Sequence, residues 1–474
     1  MRILLLAMPD TADVLDYFVK LPNLGLVSLA GSLRGHDVRV VDLVLYKPQI
    51  KRILEDALTE FKPQLIGLSA MTFQFDTLLR IARFIKEWDP SIKIAAGGYH
   101  VTLMAAELTA GNAPLPLDFL VREEGEGTLR ELAAELERNH PSLDRVAGLS
   151  FRRGESWVHN PSRPLMDLEK LPLPDRKVRL ANGFTLFNES IDVAETSRGC
   201  PYTCKFCSIA SMYGRTFRRF PLDRIMADLE AIRAQGTRAV FFADDNITHD
   251  IDHFKSVCGA IVEHGLTDMQ FGTQATAAGL ANNPDLVADM AKANFQFVFV
   301  GFESMDGSSL KEMAKPTTPN INRRAAQLIR QHDMGMIAGV IFGYPQDTRE
   351  SVKLNYRLLK KLKPDLIYSQ YLTPYPKTVL REEMLEAGLV TNLADFSSYD
   401  GFSCNIRTHH LDNQSLYQAL KWESLKSYFD PSLHVHNYFL HRHPRRFFST
   451  IGKAMMSIFY MVLRGRQIRN QLDI

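Results

Sequence analysis

Two stretches of this chain alternate short apolar runs with amphipathic helical stretches, and that rhythm leaves few folds open. In the first, up to about residue 138, residues 2–8, 38–44, 65–71, 93–98 and 119–125 read as strands with helices between them. Strands separated by helices pair in parallel and are covered on both faces, so this stretch predicts a doubly wound α/β domain. Ser69-Ala70 and Gly97-Gly98 end two of the strands in small residues, where a ligand can approach the backbone. Ligands of open α/β sheets lie at those carboxyl ends.

The second alternation runs from Ile191 to about residue 388. Its strands are 192–196, 239–244, 269–274, 297–303, 336–342 and 366–373, with helical stretches such as 222–235 and 351–363 between. Six βα units predict a partial (β/α)6 barrel whose site lies at the strand C-termini. Between the two, Pro141, Pro161, Pro164, Pro172 and Pro174 break the pattern, which reads as a short sheet extension and a linker. From about 389 the chain is helical near 415–428, then rich in His, Arg and aromatics. The expected domains are therefore 1–140, 141–187, 188–388 and 389–474.

Hydrophobic residues at 45% and charged residues at 23% describe a soluble globular chain, and a net charge of +2 gives no reason to expect a nucleic-acid partner bound by bulk electrostatics. Of five cysteines, three crowd into eight positions, a pattern suited to a reducing, cytoplasmic compartment rather than to disulfides. The N-terminal apolar run is too short for a signal peptide and reads as a buried strand.

Cys200-Pro-Tyr-Thr-Cys204-Lys-Phe-Cys207 follows a predicted strand and the turn Ser197-Arg198-Gly199. Thiolates ligate iron–sulfur clusters, and one loop carrying three of them can wrap a cubane while leaving one iron open for substrate. A structural zinc site would normally need a second Cys pair or added histidines, and three buried structural thiols would rarely share one such loop. Cys258 and Cys404 stand apart, the first reading as core and the second as a buried thiol or a substrate-side one near the barrel mouth.

This cysteine run, with Phe206 before its last member, resembles the radical S-adenosylmethionine superfamily. The resemblance implies a [4Fe–4S] cluster on Cys200, Cys204 and Cys207. It also implies that the methionyl amine and carboxylate chelate the open iron and that reduction yields a 5′-deoxyadenosyl radical. Phe241-Phe242-Ala243-Asp244-Asp245-Asn246 ends the second strand, where the family places an acid for the methionyl ammonium, here Asp245. Gly301-Phe302-Glu303-Ser304 ends the fourth, implying ribose and carboxylate contacts from Glu303 and Ser304. Gln274 ends the third, and Tyr375 in Thr373-Pro374-Tyr375-Pro376 resembles a segment that closes over adenosine.

Upstream, Leu21-Pro22-Asn23-Leu24-Gly25-Leu26, Ser69-Ala70-Met71-Thr72, Gly97-Gly98-Tyr99-His100 and Glu124-Gly125-Glu126-Gly127-Thr128 resemble the cobalamin-binding domain of one subfamily. That implies corrinoid contacts from Ser69, Thr72, Gly97, Gly98 and His100. No Asp-x-His-x-x-Gly motif is present, so the corrinoid would lack a protein histidine ligand. Read alone, the domain could equally take another nucleotide-like ligand.

The combined resemblance implies a methyltransferase acting on an unactivated carbon, with flavodoxin or ferredoxin as electron donor. Within that group the chain looks like the hopanoid methylases, those acting at C-3 above all. A tetrapyrrole cyclase, a natural-product methylase and a non-catalytic corrinoid or redox sensor are the alternatives. Residues 451–463, apolar with basic flanks, would suit a segment lying on anionic lipid or an ordinary packed helix. His434, His436, His441 and His443 read as surface residues.

Overall fold

The computed structural model describes residues 1–10, 19–111, 115–186, 189–435, 437–442 and 444, so the expectations for residues 451–463, His436 and His443 lie outside it. The described chain forms two compact units, one within Met1–Leu186 and one within Phe187–Gly452.

The first unit holds β1 (Arg2–Ala7), α1 (Leu24–Ser32), β2 (Asp37–Asp42), α2 (Ile50–Phe61), β3 (Leu65–Ser69), α3 (Phe75–Trp88), β4 (Lys93–Gly97), α4 (Tyr99–Ala110), β5 (Phe119–Val121) and α5 (Gly125–Leu136). A hairpin, β6 (Leu149–Arg153) and β7 (Ser156–His159), follows. The sheet order is β2-β1-β3-β4-β5-β6-β7, parallel through β5 and antiparallel thereafter. The hairpin is the sheet extension expected between 141 and 187.

Every interior residue of β1 is apolar because both faces of the sheet are covered. Leu4 and Leu6 pack with α2 and α3 on one side, while Ile3 and Leu5 pack with α1 and α5 on the other. The last expected strand is shorter than the sequence suggests. Glu123 adopts a left-handed φ of +63°, the strand stops at Val121, and Gly125 already begins α5.

The second unit is a parallel sheet in chain order: β8 (Glu189–Ala194), β9 (Ala239–Phe242), β10 (Gln270–Thr276), β11 (Phe295–Glu303), β12 (Gly335–Phe342) and β13 (Leu366–Tyr371). The helices between include α6 (Leu222–Ala234), α7 (Ile251–Glu263), α8 (Ala277–Asn282), α9 (Pro284–Lys292), α10 (Gly307–Glu312), α11 (Pro319–Gln331) and α12 (Arg349–Lys360). This is the expected partial (β/α)6 barrel, a curled sheet with helices on its convex side. Val298, Val300 and Phe302 of β11 are fully buried beneath those helices. The alternate residues Phe299 and Gly301 are half-buried and face the concave side.

On that side the rings lie flat against the wall because their neighbours are glycines. A Cβ on Gly272 would sit 2.2 Å from the Phe297 ring, and one on Gly339 would sit 2.6 Å from that of Phe299.

After β13 come α13 (Val379–Glu386), α14 (Asn413–Tyr428) and, following Asn437, α15 (Tyr438–Arg442). The sequence left residues 437–442 in a basic, aromatic tail; here they close the N-terminal end of the barrel. The Phe439 ring meets that of Phe297 at 6.1 Å, and the Tyr438 N–H and the Asn437 amide donate to Asp365 just before β13. No helix among the described residues is long and apolar enough to cross a membrane.

Candidate active site

The chain after β8 turns sharply at Thr196-Ser197-Arg198-Gly199 before the three cysteines. What fixes that turn is the end of β9. The Thr196 N–H donates to both carboxylate oxygens of Asp244 at 3.1 Å, and the Thr196 and Ser197 hydroxyls donate to Oδ1 at 2.6 and 2.5 Å. The Gly199 N–H donates to Asp245 Oδ2 at 2.7 Å, and the Asn246 amide donates to Cys200 Sγ at 3.4 Å. Three consecutive residues thus hold three consecutive parts of the cysteine loop.

Burial drives both carboxyls upward, Asp244 to about 7 and Asp245 to about 6, against the hydrogen bonds they accept. Gln274 sits just below, its amide donating to the Asp244 carbonyl at 2.6 Å. The acid expected to face a ligand, Asp245, has one oxygen committed to the loop backbone.

The far side of the loop is held by the Lys205 N–H on the Met313 carbonyl and the Leu380 N–H on the Lys205 carbonyl. Between these anchors Cys200, Cys204 and Cys207 are free thiols, all half-buried. Burial raises Cys204 and takes Cys207 to about 12, and each feels the charge of its neighbouring thiols. Thiols this reluctant to ionise become thiolates when a metal centre binds them. An N–H aimed at Cys200 Sγ also suits a sulfur bearing negative charge, so the donor set fits an iron–sulfur cluster. Among the described residues no three His, Cys, Asp or Glu side chains are grouped to hold a single metal ion. His434 and His441 instead bond the carbonyls of Tyr428 and Val435.

At the end of β11, Glu303 takes a left-handed φ of +60° beside a register shift in the ladder to β12. Its carboxylate pairs with Lys315 Nζ at 2.6 Å, with both side chains about nine-tenths buried. Gly301 makes room, since a Cβ there would lie 2.7 Å from Glu303 Oε1. Burial works against the Lys315 cation, but Glu303 and the Cys204 thiol outweigh it and raise its pKa. Lys315 Nζ also stands 5.9 Å over the Phe206 ring. The sequence reading missed Lys315; it lies in no motif and only the fold brings it to the cysteines.

Ser304, expected beside Glu303 as a cofactor contact, is turned inward. It is fully buried, and its Oγ accepts from the Asp306 N–H and the Asn355 amide, both at 3.0 Å. The Tyr344 hydroxyl donates to the Glu303 carbonyl at 3.4 Å. Tyr375, in the segment after β13, is half-buried, and burial raises its phenol to about 12. The strand ends therefore gather the cysteine loop, Asp244, Asp245, Asn246, Gln274, Glu303 and Lys315.

Cys258 lies in the core of α7. Cys404 is half-buried with its thiol on the Ile406 carbonyl at 3.4 Å, and burial raises it to about 11.

In the first unit, sheet order reverses between β1 and β3, which makes their carboxyl ends the expected ligand crevice. Asp10 follows β1 with Oδ1 accepting from Thr77 at 2.8 Å; its Oδ2 is buried with no hydrogen-bond partner among the described residues. An orphaned buried oxygen at the switch point is what a ligand's donor would satisfy, so this end of the sheet fits a bound cofactor. Ser69 and Gly97 are half-buried at adjacent strand ends, paired in register, and Thr72 is buried in the turn that follows β3. Gly98 (φ +95°) lets the β4 turn close on the β3 turn, where a Cβ would meet the Ala70 carbonyl at 2.6 Å. His100 is 1% exposed, its ring 4.4 Å from that of Phe75, and burial lowers its pKa to about 4.

Comparison with known families agrees with this architecture. Residues 12–133 match the B12 binding domain family and residues 194–359 the Radical SAM superfamily. An uncharacterised methyltransferase of Pyrococcus horikoshii is 27% identical over 450 residues, covering 92% of this chain and 95% of that protein. The anaerobic magnesium-protoporphyrin IX monomethyl ester cyclase of Synechocystis is 28% identical over 75% of this chain and 71% of its own. The hopanoid C-3 methylase of Methylococcus capsulatus is 27% identical over 76% of this chain and 68% of its own. The radical S-adenosylmethionine methyltransferase TsrM of Kitasatospora setae, solved with tryptophan and a SAM analogue, has the same fold. Its TM-score is 0.71 at 18% identity, over 91% of this chain and 90% of TsrM.

The two domains and their order make the chain a cobalamin-binding radical S-adenosylmethionine enzyme, homologous to radical S-adenosylmethionine methyltransferases. Its cofactors are a [4Fe–4S] cluster, S-adenosylmethionine and cobalamin.

Proposed function

We propose that the enzyme methylates an unactivated carbon of a hopanoid, at C-3, with electrons from a flavodoxin or ferredoxin. The observation that carries the apolar substrate is the aromatic lining of the concave side. Phe299 meets Tyr368 edge-on at 5.4 Å, and Tyr368 meets Phe402 in the same way at 5.4 Å. All three rings are half-buried. Such a wall stabilises a large apolar ring system by burial and has little to offer a charged substrate. The resemblance to the hopanoid C-3 methylase points the same way.

When bound, the cluster supplies the electron that cleaves S-adenosylmethionine and the cobalamin carries the methyl group. Cys200, Cys204 and Cys207 would hold the cluster, with Phe206 beneath Lys315. Asp245, Gln274, Glu303 and Tyr375 would shape the S-adenosylmethionine site, while the inward-turned Ser304 would only brace the turn after Glu303. Ser69, Thr72, Gly97, Gly98 and His100 would form the corrinoid site, His100 by supporting the turn and not by ligating cobalt. The Asp244 clamp keeps the loop in place, and Lys315 holds the Glu303 carboxylate in its strained position.

A second reading, oxidative ring closure on a tetrapyrrole ester, draws on the equal resemblance to the magnesium-protoporphyrin cyclase. One experiment tests both. Reduced, reconstituted enzyme with cobalamin and methyl-labelled S-adenosylmethionine is given either a hopanoid or a magnesium-porphyrin ester. Methylation requires 5′-deoxyadenosine, S-adenosylhomocysteine and label in the hopanoid. 5′-Deoxyadenosine with a closed porphyrin ring and no S-adenosylhomocysteine would replace it with the cyclase reading.

A further inference from the structure

Six of the fourteen exposed large apolar side chains among the described residues fall between Tyr417 and Val435. Four of them are aromatic. Trp422 is 60% exposed, Phe429 69% and Val435 61%. Helical spacing puts Trp422, Leu425 and Phe429 on one side of α14 and its C-terminal end. The opposite side, with Leu416, Ala419 and Leu420, is buried against α12 and β13.

The exposed side also carries two lysines, one of them paired with Glu423. Lys421 Nζ stands 5.4 Å over the Tyr417 ring and Lys426 Nζ stands 5.2 Å over that of Trp422. The two acids of this stretch are already engaged, Glu423 by Lys426 at 2.8 Å and Asp430 by Lys360 at 2.8 Å.

We infer that this face of α14, with Trp422, Leu425 and Phe429 beside Lys421 and Lys426, docks on an anionic lipid surface. The mixture of residues selects that occupant. A protein partner favours aromatic anchors but disfavours lysine in the middle of the contact. A bilayer interface takes aromatic rings at headgroup depth and lets lysine stems lie along apolar surface with their ammonium groups at the phosphates. The inference goes beyond the proposed reaction and does not depend on it, because vesicle binding requires no turnover.

The test is co-sedimentation of the full chain with vesicles of phosphatidylcholine, with and without phosphatidylglycerol. Binding is expected only with phosphatidylglycerol, falling as salt is added, with a blue shift of tryptophan emission. The double substitution W422S/F429S is expected to lower partitioning more than tenfold while leaving the melting temperature and iron content unchanged. A chain that ignores both vesicles overturns the inference. So does a W422S/F429S variant that binds as before while I458D/F459D does not, which would assign the contact to the segment beyond. A self-association abolished by W422S/F429S, without vesicle binding, would instead make the face a contact between copies of this chain.

Discussion

Replacing Gly199 by alanine separates the two demands that the cysteine loop makes on its first turn. The residue sits at φ +88°, and a Cβ there would lie 2.4 Å from the Thr216 carbonyl oxygen. Gly236, after α6, has nearly the same backbone (φ +85°) but nothing within 4 Å of its Cβ. Gly236→Ala therefore carries the conformational penalty alone, about 1–2 kcal/mol, or a melting temperature lower by about 2–8 °C. Gly199→Ala carries that penalty plus an overlap. To reach ordinary contact near 3.4 Å, backbone must give way by about 1 Å. Overpacking of this kind costs about 1–3 kcal/mol more.

The displacement would fall next to Cys200, where ligand distances must hold to about 0.2 Å. Iron and sulfide bound after anaerobic reconstitution should drop severalfold in Gly199→Ala and stay at the parent level in Gly236→Ala. Equal iron content and equal melting temperatures in the two variants would refute the claim that this contact seats the loop.

Lys315→Met leaves Glu303 as a buried, uncompensated carboxylate; a loss of about 3–5 kcal/mol in urea unfolding is expected, with the K315M/E303Q pair recovering much of it. His100 is held neutral, with a folded pKa near 4 against an ordinary 6.5. Its contribution is present above about pH 6.5 and is lost as pH falls toward 4, by about 3 kcal/mol in all. Unfolding of the first unit at pH 7 and 4.5 should show this dependence, weakened in His100→Phe. Gly339→Ala should push the Phe299 ring into the concave side. Substrate methylation should then fall while substrate-independent 5′-deoxyadenosine formation persists; parallel loss of both would argue that the ring lies elsewhere in the mechanism.

Periodicity made both sheets legible, because a strand covered on both faces must be apolar throughout, as β1 is, and spacing made the cysteine loop legible. What surrounds the loop was not. Asp244 reads as one of two adjacent acids, and its task depends on a strand end folding onto Thr196, 48 residues earlier. Lys315 sits in a turn with no pattern around it. Ser304 belongs to the right segment, but the left-handed backbone at Glu303 sends its hydroxyl inward. The seat of Tyr438 and Phe439 was likewise hidden, since nothing local tells an aromatic residue that Gly335 has left space for it.

That last seat bears on how the protein is made. The barrel's sixth strand ends at Tyr371, yet the residues that close its floor run to Arg442, 71 positions later. At elongation rates of about 5–20 residues per second, the ribosome needs roughly 4–14 seconds to supply them. During that interval Phe297 and the start of β12 face water in a nascent chain whose cluster loop has already emerged. Slow codons or a chaperone acting after Tyr371 would therefore alter the yield of folded enzyme more than the same intervention before β8.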